Sequence, residues 1–147
     1  MSTVQKVVTQ KFMQVYNNIF PLYPEVICTT NDDVFINLLP EEMKELGINI
    51  DLVSGYPELI AAICGKKYDL ILLTNLGIPV KEIPETVKTI RTIYKTLPIV
   101  ILVGASVEYA VKDLLNNDVN EIFTIPNDMD FVLKTIKNII YKRYYRN

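Results

Sequence analysis

The chain has 147 residues, half of them apolar, and a net charge of −2. This is the size of one compact domain with an ample core, and the weak charge excludes both a strongly basic nucleic-acid-binding surface and a charge-rich disordered chain. Histidine is absent from the sequence, which excludes Ser/His and Cys/His catalysis and imidazole metal sites.

The first predicted element is an amphipathic helix over residues 4–20, ended by the prolines of the segment PLYP. Its apolar side chains recur at steps of four, four, three and four, which places them on one side of a helix. They are Val4, Val8, Phe12, Val15 and Ile19. We assign residues 1–24 to an N-terminal helical extension and residues 25–147 to the main domain. The sequence leaves two alternatives for the burial of this apolar stripe. It packs either on the main domain or in a homodimer, which the heptad-like steps favour.

Short apolar runs, typical of buried strands, then alternate with helical patterns. The predicted strands are Glu25–Thr30, Ile48–Val53, Asp69–Thr74, Pro98–Val103 and Glu121–Thr124. The predicted helices cover residues 32–46, 56–65, 81–95, 107–117 and 128–145. This alternation is typical of an α/β fold in which parallel strands are joined by right-handed crossovers and helices cover both faces of one sheet.

Two of these helices carry predictions about the core. The first begins at Asp32 or Asp33, either of which is a good N-cap, and Gly47 ends it. Pro40 either kinks this helix or starts a second one. We expect its inner side to consist of Val34, Phe35, Leu38 and Leu39. We expect the inner side of the last helix to consist of Phe131, Val132, Ile136, Ile139 and Ile140.

Several classes of protein have no support in the sequence. The patterns GxGxxG and GxxxxGK[ST] are absent, so no glycine-rich phosphate loop is predicted. No run of 18 apolar residues indicates a membrane span, and the N-terminus has no signal-peptide pattern, so we expect a cytoplasmic protein. Cys28 and Cys64 lie in apolar segments without metal-ligand spacing, and we interpret both as small buried hydrophobic residues.

The segments KELGINIDLV, YDLILLTNLGIP and LPIVILVGASVEYAVKDLLNNDVNEIFTIP, followed by DMDFVLKTIKNII, resemble the response-regulator receiver family. The loop NLGIP matches that family's LGLP loop after the third strand, and EYAVKDLLNNDVNEIFTIP is similar to its fourth helix and fifth strand. The resemblance covers about residues 25–140. It implies a flavodoxin-like, doubly wound, five-stranded parallel sheet of order 2-1-3-4-5, here with an extra N-terminal helix.

The resemblance also implies where phosphotransfer residues would lie. In the family, an acid pair after the first strand and an Asp after the third hold Mg²⁺, and that Asp accepts the phosphoryl group. The acid pair maps to Thr30 and Asn31, and the acceptor maps to Asn75 or Thr74. None of these residues is an acid, so the resemblance implies a pseudo-receiver that lacks the phosphoacceptor.

Two further family positions are changed. The switch Ser or Thr after the fourth strand maps to Val103 or Gly104, with Ser106 just beyond. The family's Lys before a proline maps to Ile125, in the segment TIP. An isoleucine there removes the cation that offsets phosphate charge. The two aspartates after the first strand are interpreted as helix caps, although a shifted loop would bring one of them to this pocket.

Pseudo-receivers typically keep for protein contact the surface formed by the fourth helix, the fifth strand and the fifth helix of the receiver fold. Here that surface spans residues 106–117, 121–124 and 127–145. The candidate partner-binding residues are Tyr109, Lys112, Asp113 and Phe123. The resemblance therefore implies a protein partner in a signalling or regulatory assembly, without a metal or a cofactor. The weak net charge and the lack of a long apolar run predict neither a nucleic-acid partner nor a membrane partner.

Two other functions remain as alternatives. The first is a small-ligand sensor, because doubly wound sheets bind ligands beyond the carboxyl ends of their strands, at the point where the strand order reverses. The residues mapped to that point are polar and uncharged: Thr30, Asn31, Thr74, Asn75, Gly104 and Ser106. An enzyme is disfavoured because no catalytic set can be named. The basic and aromatic tail YKRYYRN is interpreted as a favourable helix C-terminus and not as a single-stranded nucleic-acid site.

Overall fold

The structure of the chain, a computed structural model, describes residues 23–145 except for residues 77, 105–110, 115–117 and 126–127. The predicted leading helix and most of the predicted helix at 107–117 lie outside the described residues. In the part of the chain that is described, no helix is long and apolar enough to cross a bilayer.

Five parallel strands form one sheet. They are β1 (Glu25–Thr29), β2 (Asn49–Val53), β3 (Leu70–Thr74), β4 (Ile99–Gly104) and β5 (Glu121–Ile125). Their order is β2-β1-β3-β4-β5, which confirms the doubly wound order implied by the resemblance. The central strand β3, with the sequence LILLT, is buried at all five residues, as a strand covered on both faces must be.

Helices cover both faces of this sheet. They are α1 (Asp33–Glu45), α2 (Tyr56–Gly65), α3 (Ile83–Ile93) and α4 (Met129–Tyr145), with single 3₁₀ turns at Val80–Glu82 and Lys112–Leu114. Side chains from α2 and α3 pack on one face in a cluster that includes Leu59 and Ile90. Side chains from α1 and α4 pack on the other face with Met43 and Ile136. All the strands and helices therefore share one sandwich of two apolar layers.

The inner side of α1 differs from the sequence prediction. Leu39 and Met43 are buried and Phe35 packs on the core, but Val34 and Leu38 are 65% and 53% exposed. The prediction that Val34 and Leu38 face inward is therefore wrong. In the segment VFINLL, apolar residues surround more than half of the helix, so periodicity alone does not decide which narrow stripe meets the sheet. Pro40 lies inside the helix, which continues unbroken to Glu45.

Gly47 ends α1 as predicted. Its φ angle of 75° is left-handed, a conformation that glycine adopts without a Cβ clash. The N–H of Gly47 donates to the Lys44 carbonyl at 2.9 Å, and the N–H of Ile48 donates to the Met43 carbonyl at 3.0 Å. This pair of bonds is the Schellman motif, which satisfies carbonyls that the helix leaves open and turns the chain into β2.

The last helix also turns differently from the prediction. Phe131 is 51% exposed and does not face inward, whereas Val132, Leu133, Ile136 and Ile140 are buried. The prediction is thus confirmed for Val132, Ile136 and Ile140 and wrong for Phe131, and Leu133 is a core residue that the sequence pattern did not include. The ring of Phe131 instead lies 5.9 Å from the ring of Phe123 in a T-shaped contact at the margin of the core.

Candidate functional site

The carboxyl ends of β1 and β3 bring four of the candidate pocket residues together. The register pairs Cys28 with Leu72, so the two strands end side by side. Beyond the paired residues, the N–H of Asn31 donates to the Leu76 carbonyl at 2.8 Å. Thr30 and Asn31 therefore lie next to Thr74 and Asn75 at this edge of the sheet.

Two buried threonines fasten these strand ends. The Thr29 hydroxyl accepts the N–H of Thr74 at 3.1 Å, and the Thr74 hydroxyl donates to the Thr29 carbonyl. The Thr74 hydroxyl also accepts the N–H of Leu76 at 3.3 Å. Both side chains are fully buried. Sequence reasoning did not single out Thr29, because inside an apolar strand nothing marks one threonine as a partner for the next strand.

Asn75 links the end of β3 to the end of β4. Its side-chain oxygen accepts the N–H of Gly104 at 3.2 Å, and its backbone carbonyl accepts the N–H of Ile78 at 3.2 Å. A Cβ built on Gly104 would meet no atom within 4 Å, so space does not require glycine there. The amide oxygen of Asn75 is therefore engaged in holding the loop and strand together.

The aspartate at the start of α1 caps the helix. The carboxylate of Asp32 accepts the N–H of Phe35 at 2.9 Å, and the N–H of Asp32 donates to the Thr30 hydroxyl at 3.1 Å. This confirms the capping interpretation, which also places a negative charge at the positive end of the helix dipole. Asp33 is the first residue of α1 and is exposed.

Tyr56 is a further residue at this edge that the sequence analysis missed. It is buried at the start of α2, and its hydroxyl donates to the Thr74 carbonyl at 3.1 Å. Burial, and to a lesser degree the nearby Glu82 carboxylate, raise the pKa of the Tyr56 hydroxyl, so it stays protonated and remains a donor. The sequence YPEL indicated the start of a helix, but nothing in it indicated a hydrogen bond from Tyr56 to the end of β3.

The remaining candidate residues lie at and beyond β4 and β5. Ile125 pairs with Gly104 at the end of the sheet. Lys112 and Asp113 are exposed, while Ser106 and Tyr109 lie outside the described residues. Phe123, expected on the partner-binding surface, is only 9% exposed and packs in the core. The expectation that Phe123 is a surface residue is therefore wrong, because its side chain lies on the side of β5 that faces the core. The exposed ring in this region is that of Phe131.

One carboxylate with two internal partners, that of Asp69, lies at the opposite, amino edge of the sheet. The Asp69 carboxylate accepts the N–H of Glu25 at 2.7 Å and the hydroxyl of Tyr144. Two clefts also open at that edge, with volumes of about 770 and 630 Å³. In the described segments, no three Cys, Asp or Glu side chains are grouped to hold a metal ion. At the carboxyl edge, Thr30, Asn31, Thr74 and Asn75 thus supply neutral side chains, and the nearby Asp32 carboxylate is engaged in capping α1.

The two cysteines have different surroundings. Cys28 is fully buried in β1, and burial raises the pKa of its thiol, which makes it unreactive. Cys64 is exposed near the end of α2, so the prediction that it is buried is wrong. The sequence YPELIAAICG is apolar on more sides than the helix buries, which is why its outer side could not be recognised from composition.

Comparisons with solved structures place this fold among receiver domains. The receiver domain of a Francisella response regulator superposes with a TM-score of 0.70 at 22% identity, covering 82% of this chain and 98% of that chain. A two-component response regulator from Clostridium difficile gives a TM-score of 0.69 at 23% identity, with the same coverage. A third is the receiver domain of a sensor histidine kinase from Pseudomonas aeruginosa (TM-score 0.68, 18% identity, 81% of this chain and 98% of that chain).

The third of these structures has a magnesium ion coordinated in its active-site cleft. At such low identities the likeness shows the fold alone. No family model matches the sequence. No curated protein matches it either. The chain therefore has the five-stranded receiver fold.

Proposed function

We propose that this chain is a receiver-fold signalling domain that does not accept phosphoryl groups and acts by binding a protein partner. The observation that carries the proposal is the identity of the residues at the ends of β1 and β3, namely Thr30, Asn31, Thr74 and Asn75. Phosphotransfer at such an edge needs a carboxylate nucleophile and a metal that neutralises phosphate charge. Threonine and asparagine side chains supply neither a carboxylate nor a negative charge for Mg²⁺.

The internal hydrogen bonds at this edge also argue against a small-ligand sensor. The oxygens of Thr30, Thr74 and Asn75 already accept backbone N–H groups. A polar ligand that displaced these bonds would leave backbone N–H groups unpaired, at a cost of about 1–3 kcal/mol for each one that stays buried. The engagement of these side chains with the backbone supports a protein-binding function over ligand sensing at the mapped positions.

Phosphoryl analogues should not change the state of the protein. We expect amide spectra of the ¹⁵N-labelled chain to be the same before and after addition of Mg²⁺ with beryllofluoride, and with acetyl phosphate. The reason is that no carboxylate is available to bind either group at position 75. An authentic receiver domain measured alongside serves as the positive control. Magnesium-dependent shifts centred on Asn75, Gly104 and Ile125 would contradict the proposal.

The partner-binding surface is expected around the exposed ring of Phe131. Phe131 lies near the start of α4, and its ring contacts the ring of Phe123 in β5. Aromatic residues are enriched in protein interfaces. We expect Phe131→Asp to reduce capture of specific proteins from the native host at least about tenfold, since an aromatic anchor commonly contributes 2 kcal/mol or more. Quantitative mass spectrometry of the captured proteins measures this.

Ile93→Asp is the matched control for that experiment. Ile93 is also an exposed apolar residue, 40% accessible, but it lies on α3 and on the other face of the sheet. The proposal expects Ile93→Asp to retain the proteins that Phe131→Asp loses. Equal loss in both variants would indicate non-specific capture, and unchanged capture by Phe131→Asp would remove this surface from the proposal.

A further inference from the structure

The two clefts at the amino edge of the sheet adjoin each other and share one side chain, that of Arg143. The first, of about 770 Å³, lies where β4 and β5 begin, and its polar wall includes Thr135, Asn138 and Lys142. The second, of about 630 Å³, lies where β1 and β3 begin. Both volumes are within the range of about 300–1,000 Å³ that is typical of small-molecule sites. A ligand that passes Arg143 therefore contacts both clefts.

Aromatic rings line the second cleft. Its tyrosines are Tyr23, Tyr68, Tyr94 and Tyr144. The hydroxyls of Tyr68 and Tyr144 donate to aspartate carboxylates, and that of Tyr94 donates to a backbone carbonyl. Since these three hydroxyls already have acceptors inside the protein, each residue offers a ligand its ring. The second cleft therefore suits a flat aromatic group.

Two guanidinium groups lie near each other at this edge. Arg91, on α3, donates to three backbone carbonyls at 2.9, 3.1 and 2.7 Å. Two of these carbonyls belong to Tyr94 and Leu97, which line the second cleft, so the bonds hold the Arg91 side chain beside it. Burial lowers the pKa of Arg91, the Asp118 carboxylate opposes that shift, and the nearby Arg143 guanidinium adds to it.

The acids near this arginine pair are largely engaged elsewhere. In the segments that the structure describes, neither arginine forms an ion pair with an acid. Glu25, in the second cleft, is paired with Lys66 at 3.2 Å, and the Asp69 carboxylate accepts a backbone N–H and a tyrosine hydroxyl. Glu121, in the first cleft, is the carboxylate that opposes an anion there. Two neighbouring cations without an acidic partner repel each other, and a bound anion offsets that repulsion.

We propose that the two clefts bind a nucleoside phosphate, with its base against the tyrosine rings and its phosphate against Arg143 and Lys142. A guanidinium binds phosphate oxygens through paired N–H donors, and aromatic side chains stack on any base. The site lies at the opposite edge of the sheet from Asn75. The proposal therefore does not depend on the loss of phosphotransfer or on the partner surface around Phe131.

Titration of the full-length ¹⁵N-labelled chain with the 5′-monophosphates of adenosine, guanosine, cytidine and uridine tests the proposal. We expect at least one of them to bind with a Kd below about 1 mM and to shift the amides of Tyr68, Leu97 and Arg143. The amides of Asn75 and Gly104, at the other edge, should not shift. Inorganic phosphate alone and the matching nucleoside alone should each bind at least about tenfold more weakly, because each contacts only one part of the site.

Arg143→Gln should weaken binding of that nucleotide at least about tenfold, because it removes a charge-assisted bond to phosphate. Lys88→Gln is the matched control, since it removes one positive charge from an exposed site on α3, and its binding should be unchanged. Glu121→Gln should strengthen binding at least about twofold, because it removes a negative charge from the first cleft. Tyr23→Ala removes an exposed ring and should weaken binding of the nucleotide at least about fivefold, but not binding of inorganic phosphate.

Failure of all these nucleotides to bind would overturn the proposal. Equal weakening in Arg143→Gln and Lys88→Gln would also overturn it, and so would an affinity for inorganic phosphate equal to that for the nucleotide, because both outcomes indicate a non-specific effect of charge. Shifts confined to Asn75 and Gly104 would place the ligand at the carboxyl edge. That result would overturn this proposal and, separately, favour a sensor at the mapped positions.

Discussion

Thr74→Val should lower the free energy of unfolding by about 3 kcal/mol, even though valine has nearly the same shape as threonine. The substitution leaves the Thr29 carbonyl and the N–H of Leu76 without the Thr74 hydroxyl. Each backbone group left unpaired in a buried site costs about 1–3 kcal/mol. Valine and threonine are both β-branched and suit a strand equally, so backbone propensity does not offset this loss. Urea denaturation followed by circular dichroism measures the change.

Two control variants separate the hydroxyl from other effects. Thr74→Ser keeps the hydroxyl and removes one methyl group, so we expect a loss of only about 1 kcal/mol. Thr86→Val removes a buried hydroxyl that donates to the carbonyl of Glu82, the residue before α3, at 2.8 Å. That bond does not join two strands, so we expect Thr86→Val to lower the free energy of unfolding by less than about 1 kcal/mol. If Thr74→Val costs no more than Thr74→Ser, the hydroxyl does not fasten the strands.

The sheet could be predicted from sequence because its strands are short and apolar on both sides. LILLT and IVILV are interpretable as parallel strands covered by helices, and the observed strands start or end within one residue of the predictions. The strand order did not follow from these runs. It came from the resemblance, since alternating strands and helices are compatible with more than one doubly wound order.

The orientation of the helices was less predictable. Val34, Leu38 and Phe131 were assigned to the core because they fit an apolar periodicity, yet all three are exposed. Short helices rich in apolar residues have several possible buried stripes, and packing against the sheet selects one of them. The exposed residues produced by that selection are the ones that now indicate surfaces for contact.

At the carboxyl edge, the sequence identified which residues are present and the structure adds what they bond to. The resemblance mapped the acceptor position to Asn75 or Thr74, but the bond from the Gly104 N–H to Asn75 depends on the register between β3 and β4. A cap at Asp32 or Asp33 was predictable because a cap is a local motif, and the structure selects Asp32. Contacts between residues far apart in sequence, such as Tyr56 with Thr74, were beyond reach of a pattern in one segment.

Restoring charge at the mapped positions should create a magnesium site. We expect the combined variant Thr30→Asp, Asn31→Asp, Asn75→Asp and Ile125→Lys to be less stable than the wild type by several kcal/mol in metal-free buffer. Position 30 is buried, and neighbouring carboxylates repel one another there. Mg²⁺ should reverse much of this loss, because a ligand at about 100 times its Kd stabilises a folded protein by about 2.7 kcal/mol. The wild type should show no such response.

Thermal unfolding at increasing Mg²⁺ concentration measures this difference. The single variant Asn75→Asp is the control, since one carboxylate beside Thr30 and Asn31 lacks the convergent oxygens that Mg²⁺ requires, and its Tm should not depend on Mg²⁺. A folded combined variant whose Tm is insensitive to Mg²⁺ would mean that positions 30, 31 and 75 do not converge on one ion. The neutral residues found there would then give no reason to expect that phosphotransfer is lost, and the proposed function would lose its main support.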